Sequence, residues 1–291
     1  MSSVHAAWIE GLRVRTLAAA IAPVLVGLGA AIAIGPVSVG RAVLALVVAL
    51  ALQIGVNFAN DYSDGVRGTD AAREGPQRLV ASGAASPGAV RAVAWAAFLV
   101  AAAAGIALSW LSGHPWLVCV GAAAIAAAWL YTGGPRPYGY MGLGEVGVFV
   151  FFGLVAVLGT TYTQVSRITV PSVLGACGVG LAACAILMAN NIRDLTADSA
   201  SGKRTAAVLL GDRLARTVYQ AELLGAFACA AAIVPWNPRC LAALILLPPA
   251  IRLIGPVGRG ASGADMVAVL RGTGQIELGY GLILGLALAL G

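Results

Sequence analysis

Long apolar stretches limit what this chain can fold into more than any other feature of its sequence. A helix needs about 20 mostly apolar residues to cross the hydrocarbon core of a membrane. Nine stretches reach that length, at 17–34, 40–59, 89–112, 115–133, 145–165, 170–191, 214–234, 239–255 and 273–290. Only 10% of the residues are charged, whereas a soluble domain carries about a quarter. The sequence therefore predicts an all-α polytopic membrane protein, with nine transmembrane helices packed in a bundle.

Basic residues are divided unevenly between the two sides that nine spans define. Of the 18 Lys and Arg residues, 15 lie on or near the side that holds the N-terminus and the loops after the second, fourth, sixth and eighth spans. The other three are Arg41, Arg167 and Arg239. Because basic loops remain in the cytoplasm, we predict a cytoplasmic N-terminus and an external C-terminus. All 12 acidic residues belong to the same side or to the nearest helix halves, so the chemistry is expected to face the cytoplasm.

Several classes of function are disfavoured by composition and motifs. The net charge of +6 is better explained by attachment to a membrane surface than by nucleic-acid binding. The five cysteines lack CxxC spacing, so neither a disulfide framework nor a zinc site is indicated. No GxSxG segment is present and no GxGxxG segment follows a strand. Hydrolase and nicotinamide-dependent chemistry are therefore poor candidates.

Two polar stripes lie at the cytoplasmic ends of the second and sixth spans. Residues three, four and seven apart share one face of a helix. The stripes consist of Asn57, Asn60, Asp61 and Asp64, and of Asn190, Asp194 and Asp198. Carboxylates this close repel one another, and a cation relieves the repulsion. Because all the ligands are oxygens, the stripes favour Mg²⁺, which takes one or two carboxylates together with water and phosphate oxygens.

Two such sites facing each other would hold a diphosphate. The alternative is that these carboxylates are solvated loop residues or helix caps. The two long polar loops that follow the second and sixth spans, at about 60–88 and 193–213, open with related strings at 59–64 and 189–194. This similarity suggests either a weak internal repeat, which often places a site between two halves, or a chance match.

Basic residues follow both stripes along the chain. Arg67, Arg73 and Arg78 come after the first stripe, and Lys203 and Arg204 come after the second. A guanidinium group binds phosphate oxygens in a bidentate way, and an ammonium group supplies a point charge. These residues therefore support a diphosphate site, with anchoring to lipid headgroups as the alternative.

The loop after the fourth span is rich in glycine, proline and tyrosine. It runs from Tyr131 to Glu145 and contains Arg136, Tyr138 and Tyr140. Gly and Pro impose an irregular path, while the cation and the phenol rings could hold an aromatic acid. A tight turn with tyrosines at the membrane interface would have the same composition.

The 38 glycines of the chain allow two interpretations. Glycine permits close packing of helices in a membrane. It would equally leave room for a groove that holds a long apolar tail. The sequence does not separate these two uses.

The motifs at residues 60–64 and 194–198 resemble the two aspartate-rich motifs of the UbiA superfamily of intramembrane prenyltransferases. The resemblance covers nearly the whole chain, including the nine-span plan. Residues 57–70, 131–140 and 190–205 are most similar to the menaquinone-pathway branch, the 1,4-dihydroxy-2-naphthoate polyprenyltransferases.

This resemblance implies one transmembrane domain over 1–291, with its helices around a central cavity, in the plasma membrane of a bacterium. It implies transfer of a polyprenyl group from polyprenyl diphosphate to 1,4-dihydroxy-2-naphthoate, with loss of CO₂ and diphosphate, to give demethylmenaquinol. The implied catalytic residues are Asp61, Asp64, Asp194 and Asp198, which together with Asn60 are also the implied Mg²⁺ ligands. The implied substrate-binding residues are Asn57, Asn60, Asp70, Arg67, Arg78, Tyr131, Arg136, Tyr138, Tyr140, Asn190, Asn191, Lys203 and Arg204. The expected partners are the two substrates and membrane lipid, without nucleic acid.

The first motif departs from the superfamily pattern at one position. The superfamily places a last Asp four residues after Asp64, and this chain has Gly68 there. Asp70 is the nearest replacement, and its role is less well defined than those of Asp61 and Asp64.

Two alternative functions are compatible with the same residues. A relative within the superfamily could use 4-hydroxybenzoate or homogentisate as the acceptor. An ion-coupled transporter would also carry carboxylates within the membrane. Against the transporter, the carboxylates gather at one membrane face rather than at its middle.

Overall fold

A computed structural model describes residues 3–69 and 78–291 of the chain, and all regular secondary structure in these ranges is helical. The helices are α1 (Ser3–Gly11), α2 (Ala18–Ile32), α3 (Val39–Arg67), α4 (Pro87–Leu111), α5 (Leu117–Leu130), α6 (Gly144–Val165), α7 (Val170–Arg193), α8 (Leu195–Ala200), α9 (Ala206–Leu210), α10 (Asp212–Ala232), α11 (Pro238–Gly258) and α12 (Gly263–Ala289). A π-helical segment, Phe149–Val155, interrupts α6, and α11 begins as a 3₁₀ helix. The predicted all-α class is confirmed.

Each apolar stretch predicted to span the membrane overlaps a helix. Among the described residues, five helices are long and apolar enough to cross a membrane: α3, α4, α6, α7 and α11. The apolar helices α2 and α5 are shorter. Polar residues such as Glu222 in α10 and Glu277 in α12 make those helices less apolar. The chain is thus a multi-pass membrane protein, and the number of nine spans stays a prediction.

The end of α3 lies at Gly68, the position where the first motif departs from the expected pattern. Gly68 follows the last residue of α3 and has φ 74°, a left-handed conformation that favours glycine. Its N–H bonds back to the last turn of the helix. A residue with a side chain would be strained in this conformation, so the end of the helix favours glycine over aspartate at this position.

Glycines allow the closest helix contacts in the bundle. A Cβ atom at Gly29 of α2 would lie 2.0 Å from the carbonyl oxygen of Gly285 in α12. A Cβ atom at Gly281 would lie 2.6 Å from that of Ala22. These glycines serve helix packing, which is one of the two uses that the sequence left open. The packed core lies between α2, α7, α10 and α12, and the cavity described below lies on the other side of α7.

Candidate active site

A cavity of about 1220 Å³ opens between α2, α3, α5, α6, α7 and α12. Its walls are mostly apolar, and its polar lining residues concentrate where α3 and α7 end. We call this part the motif end of the cavity. The far end is lined by Ala45 of α3, Leu108 and Ser109 of α4, Leu117 of α5 and Thr163 of α6. One polar end joined to an apolar interior suits a ligand with a charged head and an apolar tail.

The structure brings the two predicted stripes together at the motif end. The Nζ atom of Lys203 lies 3.5 Å from Oδ2 of Asp64 and 3.7 Å from Oδ1 of Asp198. All three residues are buried. The ammonium group of Lys203 therefore lies between the first and the second motif. The two motifs form one site rather than two separate helix ends.

Tyr140 contacts both Asp64 and Lys203. Its phenol donates a hydrogen bond to Oδ1 of Asp64, and the ammonium of Lys203 lies 4.8 Å from the centre of its ring. Burial, reinforced by the charge of Asp64, raises the pKa of Tyr140 well above its ordinary value. Burial also raises the pKa of Tyr138 to about 12. Both phenols therefore remain protonated hydrogen-bond donors at neutral pH.

The carboxylate of Asp61 faces the chain that follows the first motif. Its two oxygens accept hydrogen bonds from the backbone N–H groups of Leu79 and Val80, each at 3.0 Å. This arrangement gives Asp61 a structural role, because it fixes the return of the chain toward α4. A carboxylate has about four acceptor positions, so the predicted metal role of Asp61 is compatible with these bonds.

The first motif also holds the loop that follows α5. The Oδ1 atom of Asn60 accepts a hydrogen bond from the hydroxyl of Thr132 at 2.8 Å. The guanidinium of Arg67 donates to the carbonyl oxygens of Thr132 and Gly134. Arg67 therefore fixes the shape of the loop and does not line the cavity.

Asn57 ties the middle of α3 to the N-terminal segment. Its Nδ2 atom donates to the carbonyl of Leu12 at 3.1 Å and to Oγ1 of Thr16 at 3.0 Å. Its Oδ1 atom accepts from Nε2 of Gln53 at 3.2 Å. The predicted substrate residue Asn57 thus lines the cavity as part of a hydrogen-bonded network.

In the second motif, an arginine pairs directly with an aspartate. The Nε and Nη2 atoms of Arg193 each lie 2.7 Å from an oxygen of Asp194, and Nη2 also donates to Oδ1 of Asn190 at 2.7 Å. Asn191 instead donates to Oε1 of Glu145 at 2.9 Å. The sequence-based set of binding residues omitted Arg193, although its position directly before Asp194 was a usable signal.

Most of the predicted site residues line the cavity. Those that do are Asn57, Asn60, Asp61, Asp64, Arg78, Tyr131, Tyr138, Tyr140, Asn190, Asn191, Asp194, Asp198 and Lys203. The predicted residues Arg67, Arg136 and Arg204 do not line it, and all three are exposed. Asp70 and Arg73 lie outside the described residues. Gln53 and Arg13 line the cavity, but no sequence motif marked them.

The ligand set can be compared with what Mg²⁺ requires. Within 3–69 and 78–291, no three His, Cys, Asp or Glu side chains come close enough together to hold a metal ion by themselves. Mg²⁺ usually takes only one or two protein carboxylates and completes its shell with water and substrate phosphate oxygens. Two carboxylates, those of Asp64 and Asp198, lie beside Lys203 and offer oxygen ligands. These residues therefore fit Mg²⁺ bound together with a diphosphate.

Comparison with known proteins identifies the class to which this fold and site belong. The sequence model of the UbiA prenyltransferase family matches residues 20–257, and the chain belongs to that family. It is 48% identical over 286 residues to a 1,4-dihydroxy-2-naphthoate octaprenyltransferase from Mycobacterium tuberculosis, covering 98% of each chain. It is 38% identical to the enzyme of the same name from Escherichia coli, covering 77% of this chain and 75% of the other.

Solved structures show the same fold at low sequence identity. A UbiA homolog from Aeropyrum pernix, 17% identical, superposes with a TM-score of 0.70 and covers 94% of this chain and 97% of its own. A UbiA homolog from Archaeoglobus fulgidus bound to GPP and Mg²⁺, 14% identical, gives a TM-score of 0.66 with the same coverage. The family resemblance predicted from the sequence is confirmed, and a prenyltransferase is favoured over an ion-coupled transporter.

Proposed function

We propose that this protein transfers a polyprenyl group from polyprenyl diphosphate to 1,4-dihydroxy-2-naphthoate, with loss of CO₂ and diphosphate, to give demethylmenaquinol for menaquinone biosynthesis. The observation that carries this proposal is the 48% identity, over 98% of both chains, to an enzyme named for that acceptor. The joined motifs at one end of an apolar cavity support it, because they match a substrate with an anionic head and a long apolar tail.

The motif end is proposed to bind the diphosphate. Lys203 offers a point charge beside Asp64 and Asp198, and Arg193 and Arg78 line the same end of the cavity. When bound, Mg²⁺ neutralises the diphosphate and makes it a better leaving group. We propose Asn60, Asp61, Asp64, Asp194 and Asp198 as the residues that would hold it.

The apolar walls are proposed to protect the reactive intermediate. Departure of diphosphate leaves an allylic cation, which water would consume. The electron-rich naphthoate ring attacks this cation at the carbon that bears the carboxylate, and loss of CO₂ restores aromaticity. Tyr138 and Tyr140 line the cavity beside the motif end, and their neutral phenols can orient the acceptor without competing for the metal.

The proposed reaction is tested by incubating purified protein with Mg²⁺, octaprenyl diphosphate and one aromatic acid at a time. We expect a product with the mass of octaprenyl demethylmenaquinol from dihydroxynaphthoate, together with release of CO₂. Prenylated 4-hydroxybenzoate or homogentisate should form poorly. Faster prenylation of either of these acids would contradict the proposed acceptor while leaving the class of enzyme intact.

We further propose that one transmembrane domain spans the bacterial plasma membrane nine times, with the motif end in the cytoplasm. The uneven distribution of basic residues supports this orientation. In a background without native cysteines, a cysteine at Ser201, beside the second motif, should be shielded from impermeant reagents in intact cells. A cysteine at Val39, at the far end, should be labelled. The opposite labelling pattern would overturn the orientation.

A further inference from the structure

We propose that Gly121 and Gly159 determine how long a prenyl chain the cavity accepts. The inference rests on the proposed function and assigns a specificity role to two residues of the same cavity. Some glycines of the chain serve helix packing and others leave free space. The structure separates these two groups.

Gly121 and Gly159 each lie in the middle of a cavity-facing row on a helix. On α5 and at its C-terminal cap, the residues that line the cavity include Leu117, Gly121, Ala124, Ala128 and Tyr131. They recur every three or four residues, which is the spacing of a single helix face. On α6, Gly159 lies between the lining residues Phe152, Val155, Ala156 and Thr163 at the same spacing. A side chain added at either glycine would therefore point into the cavity.

The space beside these two glycines is open. A Cβ atom at Gly121 or at Gly159 would have no atom within 4 Å. Gly147 lines the same cavity, but a Cβ atom there would lie 2.7 Å from the ring of Tyr138. Packing glycines such as Gly29 face the backbone of another helix. The missing side chains of Gly121 and Gly159 thus enlarge the cavity and do not make room for a neighbouring helix.

Both glycines lie close to the far end, about one helical turn from Leu117 and Thr163. The helix ends there are tied together by polar contacts. Nη1 of Arg41 donates to the carbonyl oxygen of Thr163 at 2.7 Å, and the side chain of Gln164 exchanges two hydrogen bonds with the backbone of Ser38. The lining of α3 runs from Asp64 to Ala45, which corresponds to about 28 Å along the helix. A tail whose head lies at the motif end would therefore reach the two glycines with its last units.

Volume is the only property by which an apolar wall can select a prenyl tail, because the tail offers no polar group. One methylene too many in an apolar pocket costs about 10- to 200-fold in selectivity. A larger residue at Gly121 or Gly159 should therefore reject long tails and leave short ones unaffected.

The experiment compares Gly159→Ala, Gly159→Leu and Gly121→Leu with the wild type. Each protein receives dihydroxynaphthoate, Mg²⁺ and an equimolar mixture of prenyl diphosphates from geranyl to octaprenyl, and the product masses are compared. The ratio of products within one reaction is independent of how much enzyme has folded. Gly88→Leu is the matched control, because Gly88 lies on α4, is exposed, does not line the cavity and has no atom within 4 Å of its Cβ position.

We expect both leucine variants to lower the share of the octaprenyl product relative to the geranyl product by at least about tenfold. Gly159→Ala should give a smaller shift in the same direction, and Gly88→Leu should match the wild type. An unchanged product ratio in Gly159→Leu and Gly121→Leu would overturn the inference, as would an equal loss at every chain length. If the wild type forms no prenylated product at all, the proposed function fails instead.

Discussion

The ends of α3 and α7 have similar sequences but hold their carboxylates in different ways. At the end of α3, Asp61 accepts hydrogen bonds from backbone N–H groups and Asp64 accepts one from Tyr140. At the end of α7, Asp194 forms an ion pair with Arg193. Lys203 joins the two ends through Asp64 and Asp198. The comparison shows that a repeated motif marks the location of a site, while the different partners of the carboxylates determine the role of each one.

The largest effect is expected from removing the charge of one carboxylate at each end. Asp64→Asn and Asp194→Asn keep the size of the side chain but lose the charge that a cation needs. Each should lower kcat by about 10²- to 10³-fold, the usual cost of removing one transition-state electrostatic contact. Turnover at saturating substrate is the measurement, with partial rescue by raised Mg²⁺.

Asp212→Asn is the matched control for these two variants. Asp212 is exposed, pairs with the buried Arg216 and does not line the cavity, so the activity of Asp212→Asn should stay near that of the wild type. Near-normal turnover in Asp64→Asn or in Asp194→Asn would return that carboxylate to a purely structural role.

A smaller but clear effect is expected from the cation that joins the two ends. Lys203→Met keeps an apolar stem of similar length but leaves Asp64 and Asp198 without their shared ammonium group. The KM for the diphosphate should rise by at least about tenfold, since a hydrogen bond to a charged group contributes about 1.5–3 kcal/mol. Arg204→Met is the control, because the neighbouring Arg204 is exposed and outside the cavity wall. Equal changes in this KM in both variants would mean that the position of Lys203 between the two motifs does not contribute to binding the diphosphate.

The two aspartates of the first motif should differ in their effect on stability. Asp61→Asn replaces one of two acceptor oxygens with an amide that cannot accept from Leu79 or Val80. The free energy of unfolding should fall by about 1–3 kcal/mol, the cost of leaving a buried donor unpaired. Thermal unfolding in detergent should therefore show a lower Tm for Asp61→Asn than for Asp64→Asn. The reverse order would contradict the structural role of Asp61.

The smallest effect is expected at Arg136, which the loop composition predicted as an anchor for the acceptor's carboxylate. Arg136 is exposed and does not line the cavity, so its position gives that role no support. Arg136→Ala should change the KM for dihydroxynaphthoate by less than about twofold, as expected for an exposed residue. A tenfold rise confined to that KM would reinstate the predicted role.

The sequence was sufficient to predict the helical class and the position of the polar stripes. The length of an apolar stretch and the spacing of residues along a helix are local properties, and the folded structure retains both. The stripe that contains Asn57 and Asp64 does line one wall of the cavity, as the spacing indicates.

Most partners of these residues could not be predicted, because they depend on contacts between distant segments, whereas Arg193 stands directly before Asp194. Asp61 bonds to residues 18 and 19 positions further along the chain. Among the basic residues after the motifs, Lys203 turns into the cavity, whereas Arg67 turns to the carbonyls of another loop. The two uses of glycine were likewise inseparable in sequence, since only the packed helices show what lies opposite Gly29 and Gly159.

The central claim is that both motif ends act on one diphosphate. It is tested most directly by combining Asp64→Asn and Asp194→Asn in one protein and measuring kcat beside both single variants. If the two carboxylates act as one unit, the double variant should be little slower than the slower single variant, as residues that work together show strongly non-additive losses. If the two losses multiply instead, to about 10⁴-fold or more, the ends act independently and the account of a single joined site is contradicted.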